Sequence, residues 1–240
     1  MKLASHQPYF FPYVGYFSLI SEVDTFIFFD ISQFMRRSWM TRNRILKPDY
    51  NWQYFNAGTQ YLHVNGMLTD CKLNEDLAWK EKLLAQLEHY KKKAKFYSET
   101  ITLISELLYE KETLLADFNI KSTIAIANKL NINTAIFRYS EIISQVDKAE
   151  RGNLCGLNFC KAFGADTYIN SPGGVGLYKF DDYSDAGIKL GFIQHKLTRY
   201  SQNNENFIPG LSIIDVIMFN GFEKTSNLLR DYTIKWAVNK

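Results

Sequence analysis

The chain has 240 residues, 46% hydrophobic and 22% charged, a balance that fits a globular protein and excludes a disordered or fibrous one. Its 28 basic and 25 acidic residues leave a net charge of +3, too small an excess to point to nucleic acid as a partner. No apolar run reaches the roughly 18 to 20 residues that cross a bilayer, so no membrane span is expected. Cys71, Cys155 and Cys160 lack the paired spacing of a disulfide framework or a zinc knuckle, which indicates a reducing, cytoplasmic setting. The aromatic fraction of 15% suits either a well-filled core or a pocket with aromatic walls for a sugar or a base.

Residues 2–5 read as a strand that runs into His6-Gln7-Pro8-Tyr9-Phe10-Phe11-Pro12-Tyr13-Val14-Gly15-Tyr16. Two prolines turn the chain there, and an apolar, helix-like run follows over 17–20. A second strand over 25–30 ends on Asp30, and Gln33, Arg36, Arg37, Arg42, Asn43 and Arg44 come next. Residues 38–40 and 52–56 are expected as strands around a Lys47-Pro48-Asp49-Tyr50-Asn51 turn. Residues 61–64 and 67–69 are expected to pair about Asn65-Gly66, a strong hairpin signal.

Apolar residues recur at helical spacing from 76 to 130, beginning with Leu77, Leu83, Leu84 and Leu87. The Lys91-Lys92-Lys93-Lys95 run reads as a solvated helix end. Strands over 134–138, 167–169 and 188–194 alternate with a helix over 151–163, and a helical pair closes the chain over 212–231. The expected fold is therefore α/β: a Rossmann-like, doubly wound, mostly parallel five-stranded sheet. It forms one domain over 1–240, with 46–130 inserted as a β meander plus helices.

Polar or glycine-rich loops stand at several strand ends, where open α/β sheets build ligand crevices. His6, with an ordinary pKa near 6.5, is the candidate general base, and Asp30 the group that orients it. Their plain readings are a strand-end cap and a turn cap. Gln7, Tyr9, Tyr13, Gly15, Tyr16 and Gln33 make up the adjoining binding set. Arg37, Arg42 and Arg44, with Asn43, offer fork-shaped donors, and Arg37 and Arg42 are expected to hold phosphate or carboxylate. Asn170-Ser171-Pro172-Gly173-Gly174 presents backbone N–H groups to an anion, with Asn170, Ser171, Gly173 and Gly174 in the site, although the loop lacks the lysine of a P-loop. Gln194 ends the last expected strand of the crevice. Histidine spacing gives no metal site.

The opening resembles the His-Gln-Pro-x-Tyr/Phe-x-Pro-x-x-Gly-Tyr-Phe pattern of the bacterial WbqC-like family, here from His6 to Phe17. Further matches are Asp30 with Gln33-Phe34, Arg42-Asn43-Arg44-Ile45, residues 115–119 and 160–169, Ser171-Pro172-Gly173-Gly174, residues 211–215 and Asn220-Gly221. The resemblance covers almost the whole chain. It implies a transferase of O-antigen or other surface-polysaccharide biosynthesis, moving an acyl or aminoacyl group, glycyl among them, to a nucleotide-linked amino sugar. A fainter likeness links the opening to the His-x-Gly-His region of nucleotidyltransferases and pantothenate synthetase-like ligases, with Tyr13-Val14-Gly15-Tyr16 at the motif position and tyrosine in place of both histidines.

The expectation is an acyl- or aminoacyltransferase whose partners are the amino-sugar nucleotide and an acyl donor that the sequence does not identify. No cofactor is required by the sequence, and ATP enters only in one alternative, a carboxylate–amine ligase or nucleotidyltransferase. The other alternative is a non-catalytic sugar-nucleotide or glycan-binding protein of an assembly complex.

Overall fold

The computed structural model describes residues 1–238 except Tyr50 and Val64. Five strands run parallel: β1 (Lys2–His6), β2 (Thr25–Phe28), β5 (Ala135–Arg138), β6 (Thr167–Asn170) and β7 (Lys189–His195). A sixth, β8 (Tyr232–Trp236), adds antiparallel to β7, so the sheet order is β5-β2-β1-β6-β7-β8. Counted within the sheet, that order is 3-2-1-4-5-6, the Rossmann arrangement, and its topological switch point falls between β1 and β6.

Side-chain alternation along the strands explains the double winding. Ala4, Phe26, Phe28, Ile169 and Ile193 enter one core, against helices α1 (Val14–Glu22), α4 (Leu115–Lys129) and α8 (Ile213–Leu228). Leu3, Ile27, Tyr168, Leu190 and Phe192 enter the other, against α6 (Cys155–Phe163) and α7 (Phe180–Ser184). Both faces are covered, as a parallel sheet requires. Helix α1 carries Tyr16, Phe17, Leu19 and Ile20 into the first core, so it is buried on nearly every side.

Between β2 and β5 lie a hairpin and two helices besides α4. Strands β3 (Arg42–Leu46) and β4 (Trp52–Asn56) pair antiparallel, and α2 (Ala78–Leu87) and α3 (Tyr97–Tyr109) follow. Leu83, Leu87, Ile104 and Leu108 share the first core with the sheet residues.

Three local expectations change. The first hairpin strand lies over 42–46 rather than 38–40, because the Thr41 and Arg42 N–H groups both close a turn onto the Ser38 carbonyl. Asn65-Gly66 turns back, with Gly66 N–H donating to His63 at 2.9 Å, but the segment around Met67 bridges Gln33 instead of a neighbouring strand. Burial of Phe34 and Leu68 drives that pairing; Val64 lies outside the described residues. The sheet also gains β8, whose alternating Tyr232, Ile234 and Trp236 carry the strand signal. Among the described residues, no helix is long and apolar enough to cross a membrane.

Candidate functional site

The stretch from Gln7 to Tyr13 is an irregular loop whose carbonyls are captured one after another by buried donors. Asn119 of α4 donates to Pro8 O at 3.1 Å, and Asn43 of β3 donates to Phe10 O and Phe11 O at 3.1 and 2.9 Å. Ser212, the cap of α8, donates to Phe11 O, and Ile213 N–H to Pro12 O. Tyr16 O–H donates to Gln7 O at 2.8 Å. Irregular backbone inside a protein needs such partners. Here they come from β3, α4 and α8, three segments far apart in sequence. The loop is thereby fixed at the C-terminal end of β1, with His6 at the switch point.

His6 makes two polar contacts, and the Tyr9 and Tyr16 rings meet its own edge-on at 4.8 and 5.0 Å. Its Nδ1 lies 3.2 Å from Gln7 O and its Nε2 lies 3.3 Å from Ser171 Oγ, at the end of β6. A carbonyl only accepts, so the proton belongs on Nδ1, and Nε2 accepts from the serine hydroxyl. Burial holds the ring pKa down at about 4 against the smaller opposing pull of the Gln7 carbonyl, so the imidazole is neutral near pH 7. Behind Ser171, Asn170 fixes the turn: its Oδ1 accepts from Ser171 N–H at 2.6 Å while its Nδ2 donates to Tyr168 and Tyr178 hydroxyls. Ser5 completes that network with a 2.7 Å bond to Tyr168.

Two clefts of about 360 and 380 Å³ open on either side of this contact. Both are lined by His6, Tyr9, Ser171 and Gly173. The first continues over Tyr13, Gly15, Tyr16, Trp39 and Arg44; the second over Gln7, Tyr168, Asn170, Gly174 and Tyr178. Gly15 lets the Tyr13 ring fold close over the helix, since a Cβ there would lie 2.4 Å from that ring as it stands.

The model of the WbqC-like protein family matches residues 7–227, a span that contains the loop, the Ser171 turn and the start of α8. The chain belongs to the WbqC-like protein family. The uncharacterized protein Rv1507c of Mycobacterium tuberculosis is 28% identical over 228 residues, covering 92% of this chain and 95% of its own length. No solved structure matches.

Several family-motif residues stand elsewhere than the sequence suggests. Asp30 does not orient His6. Its carboxylate accepts from Ser140 N–H at 3.0 Å and Ser140 O–H at 2.5 Å, capping the short helix α5 (Tyr139–Ile142) beside β5. Asn43 reaches the first cleft, but its amide is spent on the loop carbonyls and on Arg44 N–H. Gln33 is exposed and bridges Met67. Arg37 is exposed in a left-handed turn at φ 56°, and Arg42 lays its guanidinium 3.9 Å from the Tyr54 ring centroid; neither lines the two clefts. Gln194 is exposed near the C-terminal end of β7, opposite Thr233. Arg44 takes the cleft position expected of Arg37 and Arg42, and Trp39 joins it; a tryptophan amid arginines was the available signal. Tyr168 and Tyr178 carry no local signal, since only the sheet order brings them to His6.

A second buried titratable cluster lies away from the clefts. Asp215, at the start of α8, is fully buried and accepts from the Tyr90 and Tyr200 hydroxyls, with Gln202 Nε2 at 3.5 Å. Burial raises its pKa to about 6 despite the hydrogen bonds that pull it down.

Proposed function

We propose that the protein transfers an acyl or aminoacyl group to the amine of a nucleotide-linked amino sugar in surface-polysaccharide assembly. One observation carries this reading: two cavities of similar size share a wall made of His6, Tyr9, Ser171 and Gly173. Group transfer needs a donor and an acceptor that meet at one point, and here that point carries an imidazole nitrogen with a lone pair. The amine nitrogen attacks the acyl carbon and the C–N bond forms. His6 Nε2 takes the N–H proton as that nitrogen becomes positive, and the leaving group departs from the acyl carbon and receives the proton. Because burial keeps His6 neutral, it accepts without first losing a proton. Burial also makes the ring a weaker base than an ordinary imidazole, and an anionic substrate beside it would restore basicity.

The test is turnover of a dTDP-amino sugar with a series of activated acyl donors, followed by mass spectrometry, for the wild type and His6→Ala. Transfer by the wild type and its loss in a folded variant support the reading. Full activity in His6→Ala removes His6 from the reaction. A non-catalytic sugar-nucleotide-binding role gains from one feature: a backbone carbonyl rather than a carboxylate stands behind the imidazole. Nucleotide binding without transfer to any donor would favour it. Adenylation is disfavoured by chemistry, because the neutral phenols of Tyr13 and Tyr16 cannot supply the cationic donors that a His-x-Gly-His motif brings to phosphate.

A further inference from the structure

Arg44 differs from Arg138, which is also partly buried. Arg138 pairs with Asp117 at 2.6 Å and with Glu141. Arg44 has no acidic partner among the described residues. One of its guanidinium nitrogens donates to Gly210 O at 3.0 Å, and its Nε is buried without a hydrogen-bond partner. The group lies 5.6 Å from the Trp39 ring and 5.4 Å from the Trp52 ring, both of which keep part of their surface in solvent. Aromatic faces offset only part of the cost of desolvating a cation. A half-buried guanidinium whose charge no carboxylate balances lines a cavity of about 360 Å³, where it suits an anionic ligand group.

The same cavity is lined by three chemically different groups: His6, Arg44 and the partly exposed Trp39. A molecule that uses all three has a reactive end, an anionic middle and a flat ring. We infer that this cleft binds the nucleotide-linked substrate, its diphosphate on Arg44 and its base on Trp39, which leaves the second cleft for the acyl donor. The assignment rests on the transfer reading above, and binding alone tests it.

Titration calorimetry and tryptophan fluorescence would follow dTDP, UDP and inorganic pyrophosphate binding to the full chain. The wild type should bind both nucleoside diphosphates more tightly than pyrophosphate. Arg44→Gln should weaken all three by roughly ten- to hundredfold, the loss expected for a charge-assisted hydrogen bond, and Arg44→Lys should recover part of it. Trp39→Ala should weaken the nucleotides and leave pyrophosphate unchanged; its backbone carbonyl, which accepts from Phe10 N–H, is retained. Arg42→Gln, outside the cleft, should match the wild type, and thermal unfolding confirms that each variant is folded. Nucleotide binding undiminished in folded Arg44→Gln, or in folded Trp39→Ala, would overturn the assignment while leaving transfer standing. No binding of any diphosphate by the wild type would overturn it together with the nucleotide part of the transfer reading.

Discussion

His6 and Asp215 are titratable groups, one half-buried and one fully buried, whose surroundings are finished differently. Asp215 receives two tyrosine hydroxyls and an amide, has no exposed surface and borders neither large cleft. Tyr90, one of its donors, also accepts from Leu46 N–H at 2.9 Å, so the cluster ties α8 to the β3–β4 hairpin. His6 has one backbone partner and one hydroxyl at 3.3 Å, with open space on both sides. A saturated polar cluster holds elements in place, whereas a neutral acceptor beside empty space can exchange its partner for a ligand.

The largest effect that separates the two is on rate. His6→Ala should lower kcat for transfer by about 10²–10⁴-fold, the usual contribution of a general base, and leave the urea midpoint little changed. Loss of the cooperative unfolding transition in that variant would show that His6 is structural like Asp215, and would break the contrast.

Asp215→Ala should do the reverse. It removes the acceptor of two buried tyrosine hydroxyls, at a cost of about 3 kcal/mol or more by urea denaturation. The fraction that remains folded should keep its nucleotide affinity. A small loss of stability would mean that water replaces the carboxylate, and the cluster would then count as open.

The same contrast explains what the sequence makes legible. The parallel strands and the buried helix α1 follow from apolar runs and their period, which are local properties. The proximity of His6 to Ser171 lies 165 residues apart in the chain and depends on sheet order, which no local pattern encodes. Asp30 misleads for the same reason: an acid at a strand end looks like a partner for the histidine on the adjacent strand, but β5 flanks β2 on its other side and Ser140 takes the carboxylate. Asn43, Asn119 and Ser212 read as motif residues whose purpose emerges only with the loop carbonyls they hold. Among the arginines, composition marks the segment, but only the hairpin geometry selects Arg44 over Arg37 and Arg42.

Acid should sharpen the comparison, because the two groups titrate with opposite sign. The His6 pKa falls from an ordinary 6.5 to about 4 on folding, so the unfolded chain binds more protons between those values, and the stability His6 contributes above pH 6.5 is lost as pH falls. The Asp215 pKa rises from its ordinary 3.8 to about 6, so the folded state binds more protons there, and stability is lost as pH rises through that window. At about 1.4 kcal/mol per pH unit, each is worth up to roughly 3 kcal/mol, and less for His6, whose ring keeps an edge on the clefts. In the wild type the two largely cancel between pH 4 and 6. Relative to the wild type, Asp215→Asn should therefore lose stability toward acid and His6→Gln should gain it. Urea midpoints at pH 4.5 and 6.5 measure this; parallel profiles for the three proteins would contradict it.

The smallest effect probes whether the open side of His6 is shaped space. A methyl at Gly15 would meet the far end of the Tyr13 ring, 2.4 Å away at its nearest atom. That ring can swing, and the direction left to it is the first cleft, which Tyr13 already lines. Alanine also favours the helix over glycine by up to about 1 kcal/mol, so Gly15→Ala should change the melting temperature little. Its cost should fall on nucleotide affinity, reduced by several-fold. Tyr13→Ala in the same chain removes the obstructing ring, and a double-mutant cycle then distinguishes the explanations. If the ring's displacement is the cause, adding Gly15→Ala to Tyr13→Ala should cost no further affinity. Additive losses would instead trace the effect to the backbone of α1, and the cleft beside His6 would depend on the helix rather than on the tyrosine that covers it.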